Sequence, residues 1–265
     1  MKTLLKSILI ILLFGLLTVI TQIGGIVYVL SVLISRNWKK KLRFKTTLIF
    51  IGLYLFSTFL IVPFVAPIFG REKVKHAINI SATNYMTVLL NRNYVKPELN
   101  KLLLNTAKNL EGTKIEIHYL DASFPFINKF PLLPHLSHND GKKIDISLIY
   151  ESKGIIKKGQ KSVSGYGVFE GPNSNEFDQI SKCIDNGYFQ YDFPKYLTFG
   201  SINDDFVFSE KGTRKLITNI LNNQNLGKLF IEPHLKRRMN LKDKRIRYHG
   251  CKAVRHDDHI HVQLK

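Results

Sequence analysis

Hydrophobic positions along this chain obey two different patterns, and the change comes near residue 70. Ile8 to Ile34 is a run of 27 residues without a charge, dominated by Leu, Ile and Val. Thr46 to Gly70 is a second uncharged run, of 25 residues, with Pro63 and Pro67 near its end. A helix needs roughly 20 apolar residues to cross a bilayer core. The two runs therefore predict a transmembrane hairpin over 1–70, with helices at about 8–34 and 46–70. The prolines lie where a kink or an exit from the bilayer is tolerated. The first run is long for the apolar core of a cleaved signal, and no A-x-A site precedes Arg36.

Beyond residue 70 the apolar positions become periodic. Residues 71–95 read as an amphipathic or loose connector. Pro97 to Glu111 predicts a helix: Leu99, Leu102, Leu103, Ala107 and Leu110 share one side, Pro97 suits the first turn and Gly112 can stop it. Alternation predicts strands at 113–120, 144–150 and 259–264. Further helices are expected at 176–186, from a Ser209 cap to about Asn225, and from Pro233 to about Leu241. Tyr188 to Phe199, rich in aromatics, is expected to be partly extended. Ser164 to Asn175 reads as a Gly-, Asn- and Ser-rich loop of the kind that borders clefts, although plain surface loops are commoner. The class is α+β, in a domain over 96–265 that is long enough to bury one core.

Charge gives the hairpin an orientation. Residues 1–70 carry eight Lys or Arg and no acid. Six of the eight lie in the loop Arg36–Lys45. The positive-inside rule places that loop in the cytoplasm, so both chain ends, and the domain with them, are expected outside the cytoplasmic (inner) membrane, on the periplasmic or extracellular side. Membrane lipid is thus an expected partner of residues 8–70. The remaining residues carry the other 31 bases and all 20 acids, a net of +11. Such a balance often means nucleic acid, but an external domain makes a polyanionic wall or anionic lipid heads the better match. Cys183 and Cys251 are the only cysteines. In an oxidising compartment they could pair; the other reading is a buried Cys183 thiol on the apolar side of the 176–186 helix, with Cys251 separate.

The chemistry-bearing residues fall in two stretches. In His256-Asp257-Asp258-His259-Ile260-His261-Val262, read as a strand, His259 and His261 share the face opposite Ile260 and Val262. His256 stands in the turn before them. The second stretch is Ser137-His138-Asn139-Asp140-Gly141-Lys142-Lys143-Ile144-Asp145, a loop histidine seven residues before a strand aspartate, with a glycine to turn between them. Two imidazoles and one carboxylate from His138, Asp145 and His261 are donors that zinc accepts, leaving a fourth place for water. His259 is then placed to act on that water. His118 is read as a structural histidine.

The pair S-H-x-x-G-x-x-x-D and H-x-H resembles the zinc peptidases grouped as lysostaphin-type enzymes, D-alanyl-D-alanine peptidases and the Hedgehog signalling domain. The longer H-D-D-H-I-H-V is most similar to the penicillin-insensitive murein endopeptidases. The resemblance covers about 20 residues. It implies zinc held by His138, Asp145 and His261, catalysis by His259 with His256 in support, and a small antiparallel sheet carrying the metal on its face. The chain departs from those endopeptidases at Lys142-Lys143-Ile144, where they are more apolar, and in its hairpin. The expected function is a membrane-anchored zinc peptidase hydrolysing peptide cross-links of peptidoglycan. The alternatives are a D,D-carboxypeptidase or dipeptidase on peptidoglycan stem peptides and a non-catalytic zinc-bound recognition domain.

Overall fold

The computed structural model describes residues 2–39 and 42–265; Lys40 and Lys41 of the basic loop lie outside the described residues. The chain forms two compact units. The first takes in residues up to Val74 together with Met86–Pro97 and Ser123–Gly141. The second takes in Lys75–Tyr85, Glu98–Ala122 and Lys142–Lys265.

In the first unit the apolar run expected as one helix over 8–34 is two helices, α1 (Lys2–Thr21) and α2 (Gly24–Asn37). The break is at Gln22, whose φ of 67° ends the helix. Thr21 Oγ1 accepts from the Gly24 amide at 2.8 Å across the turn. Gly24 and Gly25 let α2 fold back on α1: a Cβ on Gly25 would lie 2.0 Å from Thr18 Oγ1 and 2.5 Å from the Phe14 carbonyl. A uniformly apolar sequence hides such a reversal, and the Gly-Gly pair is its only mark. The second run is one helix, α3 (Lys45–Phe69), with a π turn at Ser57–Ile61 and a 3₁₀ end at Ala66–Phe69 around its prolines. Leu4–Thr21 and Lys45–Phe69 are both long and apolar enough to cross a membrane, and most of their large apolar side chains are exposed. After α3, Glu72–Lys73 pairs antiparallel with Tyr94–Val95.

The second unit is built on nine strands. They are β1 (Ile80–Ala82), β2 (Ile117–Tyr119), β3 (Lys143–Ser147), β4 (Tyr150–Ser152), β5 (Ile155–Lys157), β6 (Val207–Phe208), β7 (Leu226–Phe230), β8 (Ile246–Arg247) and β9 (His259–Leu264). Six form a mixed sheet in the order β8-β7-β9-β3-β2-β1. Its four inner strands are antiparallel, and the edge strands β8 and β1 add in parallel. The small antiparallel sheet expected from the resemblance is therefore enlarged, and a separate three-stranded sheet, β5-β4-β6, stands apart from it. Part of the stretch expected as a connector supplies β1.

The helices of this unit are α4 (Pro97–Asn109), α5 (Gln179–Asp185), α6 (Glu210–Leu221) and α7 (Pro233–Arg238). Leu99, Leu102 and Leu103 of α4 and Leu216, Ile217 and Ile220 of α6 are buried, as their spacing predicts. Ser209 caps α6 on the Gly212 amide, and Asp178 caps α5 on Ile180 and Ser181. Phe189–Leu197 is a 3₁₀ helix rather than extended chain. Cys183 of α5 and Cys251 form a disulfide with their Cα atoms 5.3 Å apart. It ties α5 to the segment feeding β9. His118 bonds to Ser81 at 3.1 Å, as a structural histidine should.

Candidate metal centre

β3 and β9 lie side by side, with Ile260 opposite Ile146 and Val262 opposite Ile144. These four side chains are fully buried. Strand alternation then sends the intervening residues to the other face. The register sets His261 opposite Asp145 and His259 opposite Ser147. Two motifs more than a hundred residues apart in the chain thus meet as cross-strand neighbours.

Asp145 is wholly buried. His261 Nδ1 is 2.9 Å from its Oδ1, and Tyr166 donates its hydroxyl to its Oδ2 at 3.0 Å. His259 Nε2 stands 3.7 Å from the same Oδ2. On its other side His259 Nδ1 meets Asp258 Oδ1 at 2.5 Å, which fixes the ring's orientation. Asp258 is held in turn by the Gly167 amide at 2.6 Å. Burial works against a charge on His259, but Asp145 and Asp258 outweigh it and raise its pKa to about 9. The His256 ring lies 4.9 Å from that of His259 and 5.8 Å from that of His261. Burial first, and then the two neighbouring imidazoles, push His256 well below the ordinary histidine range, so it is neutral.

A buried group of His135, His138 and Asp145 could hold a metal ion: one ligand atom from each lies within 4.8 Å of the others. The His138 amide donates to the His135 carbonyl at 2.9 Å, and the two rings meet edge-on at 5.5 Å. Nitrogen and carboxylate donors without sulfur are a set that suits zinc and other first-row divalent ions. That group holds His138 and Asp145 of the expected ligands together with His135; His261, the third expected ligand, is not among the three and instead meets the Asp145 carboxylate at 2.9 Å.

Several supporting residues were not singled out by the sequence. His135 stands three residues before His138 in a Phe-, Pro- and Leu-rich stretch whose H-x-x-H spacing was its only signal. Tyr166 lies in Ser164-Gly165-Tyr166-Gly167, where both glycines have positive φ, 88° and 82°. A Cβ on Gly165 would lie 2.1 Å from Leu120 Cδ2, and one on Gly167 would lie 2.2 Å from the Pro194 carbonyl oxygen. That loop is built to bring one tyrosine to Asp145. Glu232 accepts from the His256 amide at 3.0 Å and from the Tyr191 hydroxyl at 2.6 Å. Burial, and then repulsion from Asp257, raises its pKa to about 7. Arg255 clamps Asp257 through two bonds, of 2.7 and 2.5 Å, and reaches Asp192 at 3.2 Å. The turn into β9 is therefore fixed by buried charge on both sides. Neither a family model nor a curated protein sequence matches this chain.

Proposed function

We infer that the chain is a membrane-anchored zinc peptidase that hydrolyses peptide cross-links of peptidoglycan. The observation that carries this reading is the register of β3 on β9, which sets His261 against Asp145 and puts His259 beside them. His138, Asp145 and His261 would hold the zinc. When bound, zinc supplies Lewis-acid polarisation of a carbonyl and an acidified water. His259 steadies the developing oxyanion: its Nδ1 is committed to Asp258, and its raised pKa leaves Nε2 carrying a proton to donate. Neutral His256 packs against His259 and keeps that ring in place. Tyr166 holds the second oxygen of Asp145 and so orients the carboxylate.

The substrate class rests on the resemblance of the two motifs to murein endopeptidases. Location supports it. If α3 crosses the membrane, the basic loop before it and residues 71–265 after it lie on opposite faces, and the positive charges favour the loop inside. A disulfide in the second unit suits an oxidising compartment. The test is incubation of the purified full chain with cross-linked muropeptides, followed by mass spectrometry. Cleavage at the cross-links that a chelator abolishes and zinc restores is expected. Removal of a terminal D-alanine instead would favour the carboxypeptidase alternative. Chelator-insensitive cleavage, or none with zinc fully loaded, overturns the zinc peptidase reading.

A further inference from the structure

We propose that Arg71 is a positioning residue for the histidine loop: it locks residues 123–141 to the end of α3, making the apolar helices a working part of the metal site and not only a tether. The inference rests on the metal reading above and adds to it. Among the described residues, Ser123–Gly141, which carries His135 and His138, forms a single bridge, between Ser123 and Tyr94, and isolated backbone bonds such as Lys129 N–H to the Asn139 carbonyl and Lys96 N–H to the Gly141 carbonyl, but no strand ladder. Something else must fix two imidazoles in space.

Arg71 follows α3 by two residues and is 1% exposed. Its guanidinium donates to the Phe124 carbonyl, to Asn128 Oδ1 at 2.6 Å and to the Asn139 carbonyl at 3.1 Å. These acceptors lie on both sides of the histidines in sequence, so one rigid fork closes the loop around them. A buried guanidinium deprived of its acceptors is costly, which makes the arrangement close to all-or-none. The glycine of the S-H-x-x-G-x-x-x-D motif has its explanation here. Gly141 has a φ of 76°, and a Cβ on it would lie 3.1 Å from Arg71 Nε and 3.3 Å from the Lys96 amide. A side chain at 141 would press on the clamp.

A second tie comes from the break between α1 and α2. Gln22, buried in that turn, accepts from the Phe126 amide through Oε1 at 2.9 Å. Phe126 also packs on Phe69, the last residue of α3, with ring centroids 5.1 Å apart. The Gln22 reversal therefore gives the loop a hydrogen-bond partner that an unbroken helix would have no reason to present.

The test uses the full chain in detergent micelles, with zinc affinity read by competition against a chelator and backbone order read by hydrogen exchange over 123–141. Arg71→Lys keeps the charge but loses the fork. Outer-shell losses typically weaken metal binding 10- to 100-fold, and a loss of that size is expected, with faster exchange in the loop and an intact Cys183–Cys251 disulfide. Gln22→Ala, remote from any ligand, is expected to show the same two changes more weakly, and it decides the matter if Arg71→Lys does not fold. Wild-type zinc affinity and wild-type exchange in folded variants would overturn the clamp. A wild-type chain that binds no zinc would overturn the metal reading itself, a result distinct from unchanged affinity in the variants.

Discussion

His261 and His138 are both buried imidazoles, but the chain holds them in different ways. His261 sits on β9, between β3 and β7, where backbone bonds on both edges set its position and strand alternation sets its direction. His138 sits in a loop fixed by a few side chains reaching in from elsewhere, Arg71 and Gln22 foremost. A ladder spreads the work over many equivalent bonds, so no single side chain decides its register. A side-chain clamp concentrates the work, so one substitution can release it. Changes around β9 should therefore cost stability before they cost metal, whereas changes to the loop's ties should do the reverse.

The largest stability effect expected on the β9 side is loss of the disulfide. Closing 68 residues of chain is worth about 4 kcal/mol in the entropic account. Cys183→Ser with Cys251→Ser should lower the free energy of unfolding by about that amount. The ladder holds His261 without it, so zinc affinity should stay close to wild type. A large loss of zinc in the folded double variant would show that the segment before β9, and not the ladder, sets the site.

The next effect is a dependence on pH. Glu232 keeps its proton in the fold up to about pH 7 and loses it near 4.5 when unfolded. The unfolded chain then binds fewer protons between those values, so stability falls as pH rises through that window. The total is about 3 kcal/mol. Glu232→Gln should flatten the decline, measured by denaturant unfolding at pH 4.5 and pH 7.5. An unchanged slope would remove Glu232 as its source.

What the sequence made legible divides along the same line. The β3 and β9 strands, and Asp145, His259 and His261 on one face, were readable because period-two alternation is local and survives into the fold. The membrane-length helix α3 was readable for the same reason. The reversal at Gln22 was not, since the run is apolar on both sides of the turn. Tyr166 and Arg71 were not, because each acts through a contact between residues far apart in the chain, and His135 had only its H-x-x-H spacing to His138. The 3₁₀ helix at Phe189–Leu197 was missed because its aromatics favour extended chain, while Asp192 and Tyr191 are drawn to Arg255 and Glu232. The edge strands β1 and β8, three and two residues long, are too short for any periodicity.

A smaller effect probes the carboxylate between the two kinds of support. Tyr166→Phe removes one hydrogen bond to Asp145 and leaves the ring against His259. Zinc affinity should fall about tenfold, at the lower end for an outer-shell partner, with no change in melting temperature beyond a few degrees. Wild-type affinity would mean that the ladder alone orients Asp145.

The account's central claim is that two histidines on one strand do different work, and the zinc content of two purified variants tests it most directly. His261→Ala should emerge without zinc and without activity. His259→Ala should keep its zinc and its fold while turnover drops by about 10²–10⁴. A metal-free His259→Ala beside a zinc-loaded His261→Ala would contradict the claim, because the ligand would then be the other imidazole.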